Sequence, residues 1–222
     1  MNMKNKKLLF ILLGLSLLSF LGLLLIYPRL PETIPVHFNF HGTADDYGPK
    51  STIFPLGLLP LGMCLLFWVL PKIDPKYQNY AKHESTYSLI TIAITVFMIV
   101  INWSIVGKAL GADLPVNFIV PGLLGILFII LGNFLPRFRP NYFIGIRTPW
   151  TLDNEYVWKK THKFGGIMFC IMGLILLLMP LLPFSNEFGT VFAVTLILAA
   201  SLSISLYSYL VYRKSGGKNG ER

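Results

Sequence analysis

Two histidines, His37 and His41, lie in a short polar stretch that also contains two aspartates, Asp45 and Asp46. Imidazole and carboxylate groups together can bind a metal ion or contact a polar ligand. On one extended strand, positions four apart are separated by about 13 Å, too far for two imidazoles to share one ion. The spacing therefore favours a ligand-facing surface, and we predict no metal site.

His162 follows two acidic residues, Asp153 and Glu155, in the most basic part of the chain. Such a trio could serve acid–base chemistry at a lipid surface. A single histidine in a basic amphipathic stretch is more often interfacial. The sequence has no nucleophile beside a base, no Cys/His set with metal-ligand spacing and no Gly-rich phosphate loop. We therefore predict a protein that is not an enzyme, with no catalytic residue and no cofactor.

Residues 145–152, with the sequence Gly-Ile-Arg-Thr-Pro-Trp-Thr-Leu, are the most distinctive segment. The guanidinium of Arg147 can pair with a carboxylate or cap backbone carbonyls, and the Trp150 ring offers a rigid aromatic surface. These properties suit either a docking surface for a protein partner or a structural clasp within the loop. The candidate residues are Arg147, Thr148, Pro149, Trp150 and Trp158.

Six long apolar runs must position these polar segments. Apolar residues make up 54% of the 222 residues and charged residues only 13%. Each run is close to the ~20 residues that a helix needs to cross a bilayer, and in lipid the backbone must be paired internally. The runs are residues 8–27, 53–70, 87–106, 116–135, 165–182 and 188–209.

The distribution of basic residues predicts the orientation. With the N-terminus inside, sixteen of the nineteen Lys and Arg residues lie in cytoplasmic segments. This is a strong positive-inside signal, which places both termini in the cytoplasm and residues 28–52 outside. The net charge of +9 then reflects topology and attraction to anionic lipid, and it does not argue for nucleic acid.

The outside segment reads as a short strand or hairpin. Residues 34–41 alternate apolar and polar side chains, which is typical of a half-buried strand, and residues 41–49 read as turn material. The residues expected to face a ligand are His37, Asn39, His41, Asp45 and Asp46.

The basic inner loop predicts a short amphipathic helix at the membrane surface. Thr151 is a candidate N-cap, with Asp153 and Glu155 in the first turn. Val157 and Trp158 then fall on one face, opposite several lysines, and the helix runs into the fifth span. The predicted fold is an all-α, six-helix transmembrane bundle with an extracellular strand or hairpin and this cytoplasmic interfacial helix.

The spans contain no ionisable side chain, which argues against a coupled transporter. Asn102 is expected to form an interhelical hydrogen bond, and Pro60 to lie in the first turns of its helix, where it costs little. Small residues at helical spacing predict packing stripes. These residues are Gly125, Gly132, Ser201, Ser205 and Ser208.

Two segments carry a resemblance to known families. Residues 145–152, followed by Val157-Trp158 and Thr161-His162, resemble the signature of the SdpI family of bacterial membrane proteins. The outside segment, with Ile34-Pro35, His37-Phe38-Asn39 and Gly42, is similar to a small domain of unknown function, DUF1648. The resemblance implies a DUF1648-like segment at 1–86, with two spans, and an SdpI-like segment at 87–222, with four.

The resemblance also implies a function. It predicts a bacterial cell-membrane protein that gives immunity to a secreted peptide toxin outside and draws a cytoplasmic ArsR-type winged-helix autorepressor to the membrane. Anionic lipid is the remaining expected partner. The alternatives are a small-solute transporter and a family member that keeps the fold without the immunity circuit.

Overall fold

The computed structural model describes residues 3–216, and the predicted cytoplasmic termini, residues 1–2 and 217–222, lie outside the described residues. The helices are α1 (Met3–Ile26), α2 (Ile53–Ile73), α3 (Glu84–Ala109), α4 (Val116–Phe134), α5 (Pro149–Asp153), α6 (Glu155–Leu178) and α7 (Asn186–Lys214). The strands are β1 (Thr33–Phe38) and β2 (Ala44–Pro49). In the described range, six of the helices are long and apolar enough to cross a membrane, which confirms the predicted all-α membrane fold.

The spans run alternately, so each connection lies at one of two ends of the bundle. The hairpin end holds β1 and β2, the α3–α4 connection and the start of α7. The motif end holds residues 74–83, residues 135–154 and the end of α7. The two sets of polar residues singled out above therefore lie at opposite ends of the helices.

The outside segment forms an antiparallel hairpin, as predicted, but its second half is not a turn. Residues 44–49, which were expected to be turn material, form β2, and only residues 39–43 turn. Register irregularities on both sides of His37 also interrupt the alternation of β1. As a result Ile34 is fully buried, while Val36, expected on the same face, is exposed.

Glycine pairs bring α4 and α6 into the closest packing of the bundle. A Cβ atom on Gly125 would lie 2.6 Å from the carbonyl oxygen of Gly173. One on Gly132 would lie 2.6 Å from the carbonyl oxygen of Gly166. This confirms Gly125 and Gly132 as packing residues, since the absence of a side chain permits the approach.

The predicted serine stripe on α7 is wrong in part. Ser208 is fully buried, but Ser201 and Ser205 are exposed. Ile204 is the other buried residue in this part of α7, so the packed face runs through Ile204 and Ser208. Ser201 projects from the same helix face, three positions before Ile204 and seven before Ser208, but it is exposed, so only the later part of this face is packed.

Side chains of α3 satisfy the carbonyls that prolines leave unpaired in α2. Pro60 lies well inside α2 rather than in its first turns, so the carbonyl of Leu56 lacks its helical donor. The Nδ2 group of Asn102 donates to this carbonyl at 2.8 Å, which confirms the expected interhelical bond. Tyr87 does the same for Phe67, the residue four positions before Pro71.

Candidate functional site

The motif loop comprises residues 135–154 and contains the short helix α5. The N-cap of this helix is Thr148, and not Thr151 as predicted. The hydroxyl of Thr148 accepts a hydrogen bond from the backbone N–H of Thr151 at 3.2 Å and caps α5. In return, the hydroxyl of Thr151 accepts from the N–H of Thr148 at 2.9 Å, and it also bonds to the carbonyl of Ile146 at 2.8 Å. Asn154 then caps α6. The expected N-cap role of Thr151 is therefore wrong, and Thr151 instead closes the reciprocal capping box.

His162, which lies in α6, holds the backbone of the motif loop at Ile146. Its Nε2 atom accepts from the N–H of Ile146 at 3.1 Å, and its Nδ1 atom donates to the carbonyl of Trp158 at 2.9 Å. These two bonds require the tautomer that carries its proton on Nδ1. Gly145 lies against the Nε2 edge of the ring with φ of 109°, and a Cβ atom at this position would collide with Nε2. Glycine is thus required at this position on two grounds.

Trp158 lies at the centre of the motif end. Its side chain is 0% exposed, and its indole N–H donates to the carbonyl of Phe138 at 2.8 Å. The ring stacks on His162 with centroids 4.0 Å apart. A fully buried side chain offers no surface to a partner. The contacts of Trp158 therefore favour a structural role in the loop over a role in docking.

The other motif candidates stay at the surface. Arg147 is exposed, and its Nη1 group donates to the carbonyl of Tyr142 at 2.6 Å. Pro149 is exposed at the first position of α5. Trp150 is half-buried, with its ring centroid 5.1 Å from that of Tyr209. A guanidinium and a proline ring that are exposed, and an indole that is half-buried, thus occur within four positions of the chain.

A buried polar network holds this surface against the α2–α3 connection. Asp74 is 2% exposed, and its Oδ2 atom accepts from the Tyr80 hydroxyl at 2.9 Å and the Tyr142 N–H at 2.9 Å. Asn141 is fully buried and accepts from the N–H groups of residues 143 and 144. The sequence analysis missed Asp74 and Asn141, although each stands beside a proline, which is a turn signal.

Helix α7 contacts the motif loop through three side chains in its last turns. The Ser208 hydroxyl lies 3.1 Å from that of Thr148. Tyr209 packs on Trp150, as described above, and the Tyr212 hydroxyl donates to Asp153 at 2.8 Å. Movement of the end of α7 would therefore alter the contacts of the motif loop at Thr148, Trp150 and Asp153.

At the other end of the bundle, the hairpin brings three of its five candidates together. His37 and Asp45 lie 2.6 Å apart (Nδ1 to Oδ1), and both side chains are exposed. Asp46 is the cross-strand neighbour of His37. Asn39, in contrast, uses its side-chain oxygen to accept from the N–H of Thr43 at 3.0 Å and so shapes the turn. His41 lies beyond it, exposed.

The tip of the hairpin is attached to the start of α7. The N–H of His41 donates to the Oδ1 atom of Asn186 at 2.9 Å. The ring of Phe40 occupies the space over Gly189, where a Cβ atom would lie 2.5 Å from the ring. Phe40 also approaches Phe184, with centroids 6.4 Å apart. One long helix thus contacts the hairpin at one end and the motif loop at the other.

The three residues considered for acid–base chemistry, His162, Asp153 and Glu155, each have another partner in the structure. Both ring nitrogens of His162 are occupied by backbone groups, and the ring is fully buried. Asp153 is bonded to Tyr212, and Glu155 pairs with Lys159 at 3.0 Å. The acid–base trio considered from the sequence is therefore not assembled.

These features define a multi-pass membrane protein with an ordered polar structure at each end of its helices. Comparison with known proteins identifies its relatives. Residues 137–208 match the SdpI/YfhL protein family, and residues 14–63 match a domain of unknown function, DUF1648. The resemblance to the SdpI family, with an N-terminal DUF1648-type segment, is thereby confirmed. The division of the chain at residue 86 stays a prediction.

One curated relative resembles the chain over most of its length. It is the "Immunity protein SdpI" of Bacillus subtilis (strain 168), which is 28% identical over 200 residues. The similar region covers 90% of this chain and 93% of the relative. No solved structure matches the chain.

Proposed function

We propose that this chain is a membrane immunity protein that protects its cell from a secreted peptide toxin at the hairpin end and signals to a cytoplasmic repressor at the motif end. The immunity role rests on the similarity to SdpI over nine-tenths of the chain. The exposed hairpin residues His37, Asp45 and Asp46 face the toxin. The surface of Arg147, Pro149 and Trp150 receives the repressor, which is of the ArsR type.

One structural observation carries the signalling part of the proposal: α7 contacts both surfaces. Its start bonds His41 and packs on Phe40, and its end bonds Thr148. Between these contacts, α7 packs mainly on α6. A ligand that shifts the hairpin tip would therefore displace α7 relative to the bundle and change the setting of the motif loop. Contacts at both ends give α7 the physical connection through which two sites can be coupled.

The orientation follows from the basic residues. Most Lys and Arg residues lie at the motif end of the bundle. The connections at the hairpin end contain three, which are Arg29, Lys50 and Lys108. The positive-inside rule then puts the motif end and both termini in the cytoplasm.

Reporter fusions are expected to place residues 40, 112 and 185 outside and residues 78 and 150 in the cytoplasm, because Lys and Arg near helix ends set topology. Position 218, outside the described residues, is expected in the cytoplasm as well. Paired alkaline phosphatase and fluorescent-protein fusions measure the two sides. An outside signal from residue 150 would reverse the orientation and remove the basis for the proposal.

We expect that expression of the chain in a strain that is sensitive to the toxin raises survival of that strain. The cells are exposed to the peptide toxin secreted by the strain from which the chain comes. Replacing His37, Asp45 and Asp46 together by Ala is expected to abolish protection, because it removes the polar face of the hairpin. These side chains are exposed, so the bundle should be unaffected. Survival counts and membrane abundance are measured on the same cells.

The matched control is Glu187→Ala, which removes an exposed carboxylate at the same end of the bundle but outside the hairpin. It is expected to keep full protection. Equal protection by the triple variant and the native chain would show that the hairpin face does not bind the toxin.

A further inference from the structure

A cleft of about 660 Å³ separates the hairpin from the connection between α3 and α4. Pro35 and Phe38 form an apolar wall on the hairpin side, and Leu114 and Val116 form one opposite. The residues with polar side chains that line it are Thr33, His41, Thr43, Tyr47, Lys108, Asp113 and Asn117. This volume is in the range of sites that hold a small ligand or one end of a chain, and too small for a folded partner.

The walls of the cleft are held in place. Gly42, in the hairpin turn, has φ of 76° and approaches the start of α4 so closely that a Cβ atom would lie 2.6 Å from the N atom of Asn117. The neighbouring Phe40 is packed against α7. The hairpin is thus fixed to two helices on either side of its tip, and the cleft is a defined feature of the fold.

Lys108 gives the cleft its chemical character. It is half-buried in the last turn of α3, and the described part of the chain supplies no ion pair to its ammonium. Lys50, at the same end, is instead paired with Glu32 at 2.9 Å. Asp113, which also lines the cleft, is exposed and forms no ion pair with Lys108 among the described residues. A partly buried charge without a partner is unfavourable, so the Lys108 ammonium is disposed to accept an anion.

Asn117 adds a second binding group. Among the described residues, its side-chain amide has no hydrogen-bond partner, although it is half-buried in the cleft. A primary amide both donates and accepts, as a peptide backbone does. Beside the cleft, the exposed Asp45 and Asp46 give the hairpin a negative surface that suits a cationic chain.

We propose that this cleft binds the C-terminal end of a peptide, with its terminal carboxylate on Lys108 and its last apolar side chain between Phe38 and Leu114. Asn117 bonds the last peptide group, and the preceding, cationic part of the peptide lies over Asp45 and Asp46. The inference rests on the proposed function, because it identifies where and by which group the toxin is held.

The test uses the full-length chain in nanodiscs of neutral lipid. The probe is a fluorescein-labelled decapeptide of alternating Lys and Ser that ends in Leu-Phe, prepared as the free acid and as the C-terminal amide. Fluorescence anisotropy is expected to show the free acid binding about tenfold more tightly, since a charge-assisted bond is lost in the amide. Lys108→Gln is expected to weaken binding of the free acid by about the same factor and to leave the amide unchanged.

Arg29→Gln is the control, because Arg29 is an exposed cation at the same end that does not line the cleft. It should preserve the preference for the free acid. Equal affinity of acid and amide for the native chain would overturn the proposal, as would a preference that survives Lys108→Gln. These outcomes are independent of the survival assay: a chain that binds the free acid but gives no protection would contradict the proposed function alone.

Discussion

Trp158→Ala is expected to destabilise the motif end by about 3–5 kcal/mol, the usual cost of truncating a buried Trp to Ala. The indole is completely buried, and its removal leaves a cavity beneath the His162 ring. It also leaves the carbonyl of Phe138 without its donor in a buried setting. The melting temperature of the detergent-solubilised chain should fall sharply, and membrane abundance should fall with it.

Trp158→Phe and Trp150→Ala serve as graded controls. Phenylalanine keeps most of the packing but cannot bond Phe138, so about 1–3 kcal/mol should be lost. Trp150 is half-buried against Tyr209 and should cost less than Trp158 when truncated. A native-like melting temperature for Trp158→Ala would mean that the motif loop does not depend on this ring.

The six spans could be predicted because hydrocarbon imposes one rule on every residue inside it. Long apolar runs must pair their backbone internally, and this makes the helices readable without any tertiary information. The bounds differ mainly at the fifth span, where α6 starts at Glu155 and joins the interfacial part to the membrane part. The lysines of that part are exposed and Trp158 is buried, as its amphipathic pattern predicted.

The capping error shows how two local signals compete. Thr148 and Thr151 are both followed by residues that suit a first helical turn, and the acidic residues favoured Thr151. Pro149 was the better guide, because proline is favoured at the first helical position and therefore indicated Thr148 as the cap. The pattern contains two helix starts, at Thr148 and at Asn154, where only one was predicted.

The roles of polar residues in the connections could not be predicted, because their partners are distant in the sequence. Asp74 bonds Tyr142, sixty-eight positions away, and no periodic pattern links such residues. Lys108 and Asn117 flank the α3–α4 connection, and they line a cleft only because the hairpin folds over that connection and forms the opposite wall. Polar residues in connections therefore need the fold before their roles can be seen. Asn102 was easier, since a polar side chain inside a span has few partners other than a neighbouring helix.

The motif loop has two kinds of residue, those that hold its conformation and those that remain accessible to a partner. Residues that hold the loop are buried and bond to the backbone, as Thr151 and His162 do. Arg147 and Pro149 instead stay exposed. A loop held so firmly presents its exposed side chains in one arrangement, and little conformational entropy is lost when a partner binds.

Trp150→Ala and Arg147→Lys are each expected to weaken recruitment of the proposed cytoplasmic repressor by about 1–3 kcal/mol, roughly 5–150-fold in affinity. Alanine removes the aromatic surface, and lysine cannot reproduce the planar guanidinium fork. Co-sedimentation of the repressor with membranes measures recruitment, and immunoblotting of the same membranes measures abundance. Because Arg147 is exposed and Trp150 is only half-buried, abundance should fall much less than it does for Trp158→Ala.

Lys163→Gln is the matched control, since Lys163 is an exposed cation of α6 outside the proposed docking surface, and this variant should recruit the repressor normally. The two measurements together separate the roles that the sequence left open for Arg147 and Trp150. Lost recruitment at native abundance identifies a docking surface. A sharp fall in abundance identifies a structural clasp, as when the bond from Arg147 to the Tyr142 carbonyl holds the loop. Native recruitment at native abundance in both variants would contradict both roles and leave the exposed side of the loop as a contact with lipid.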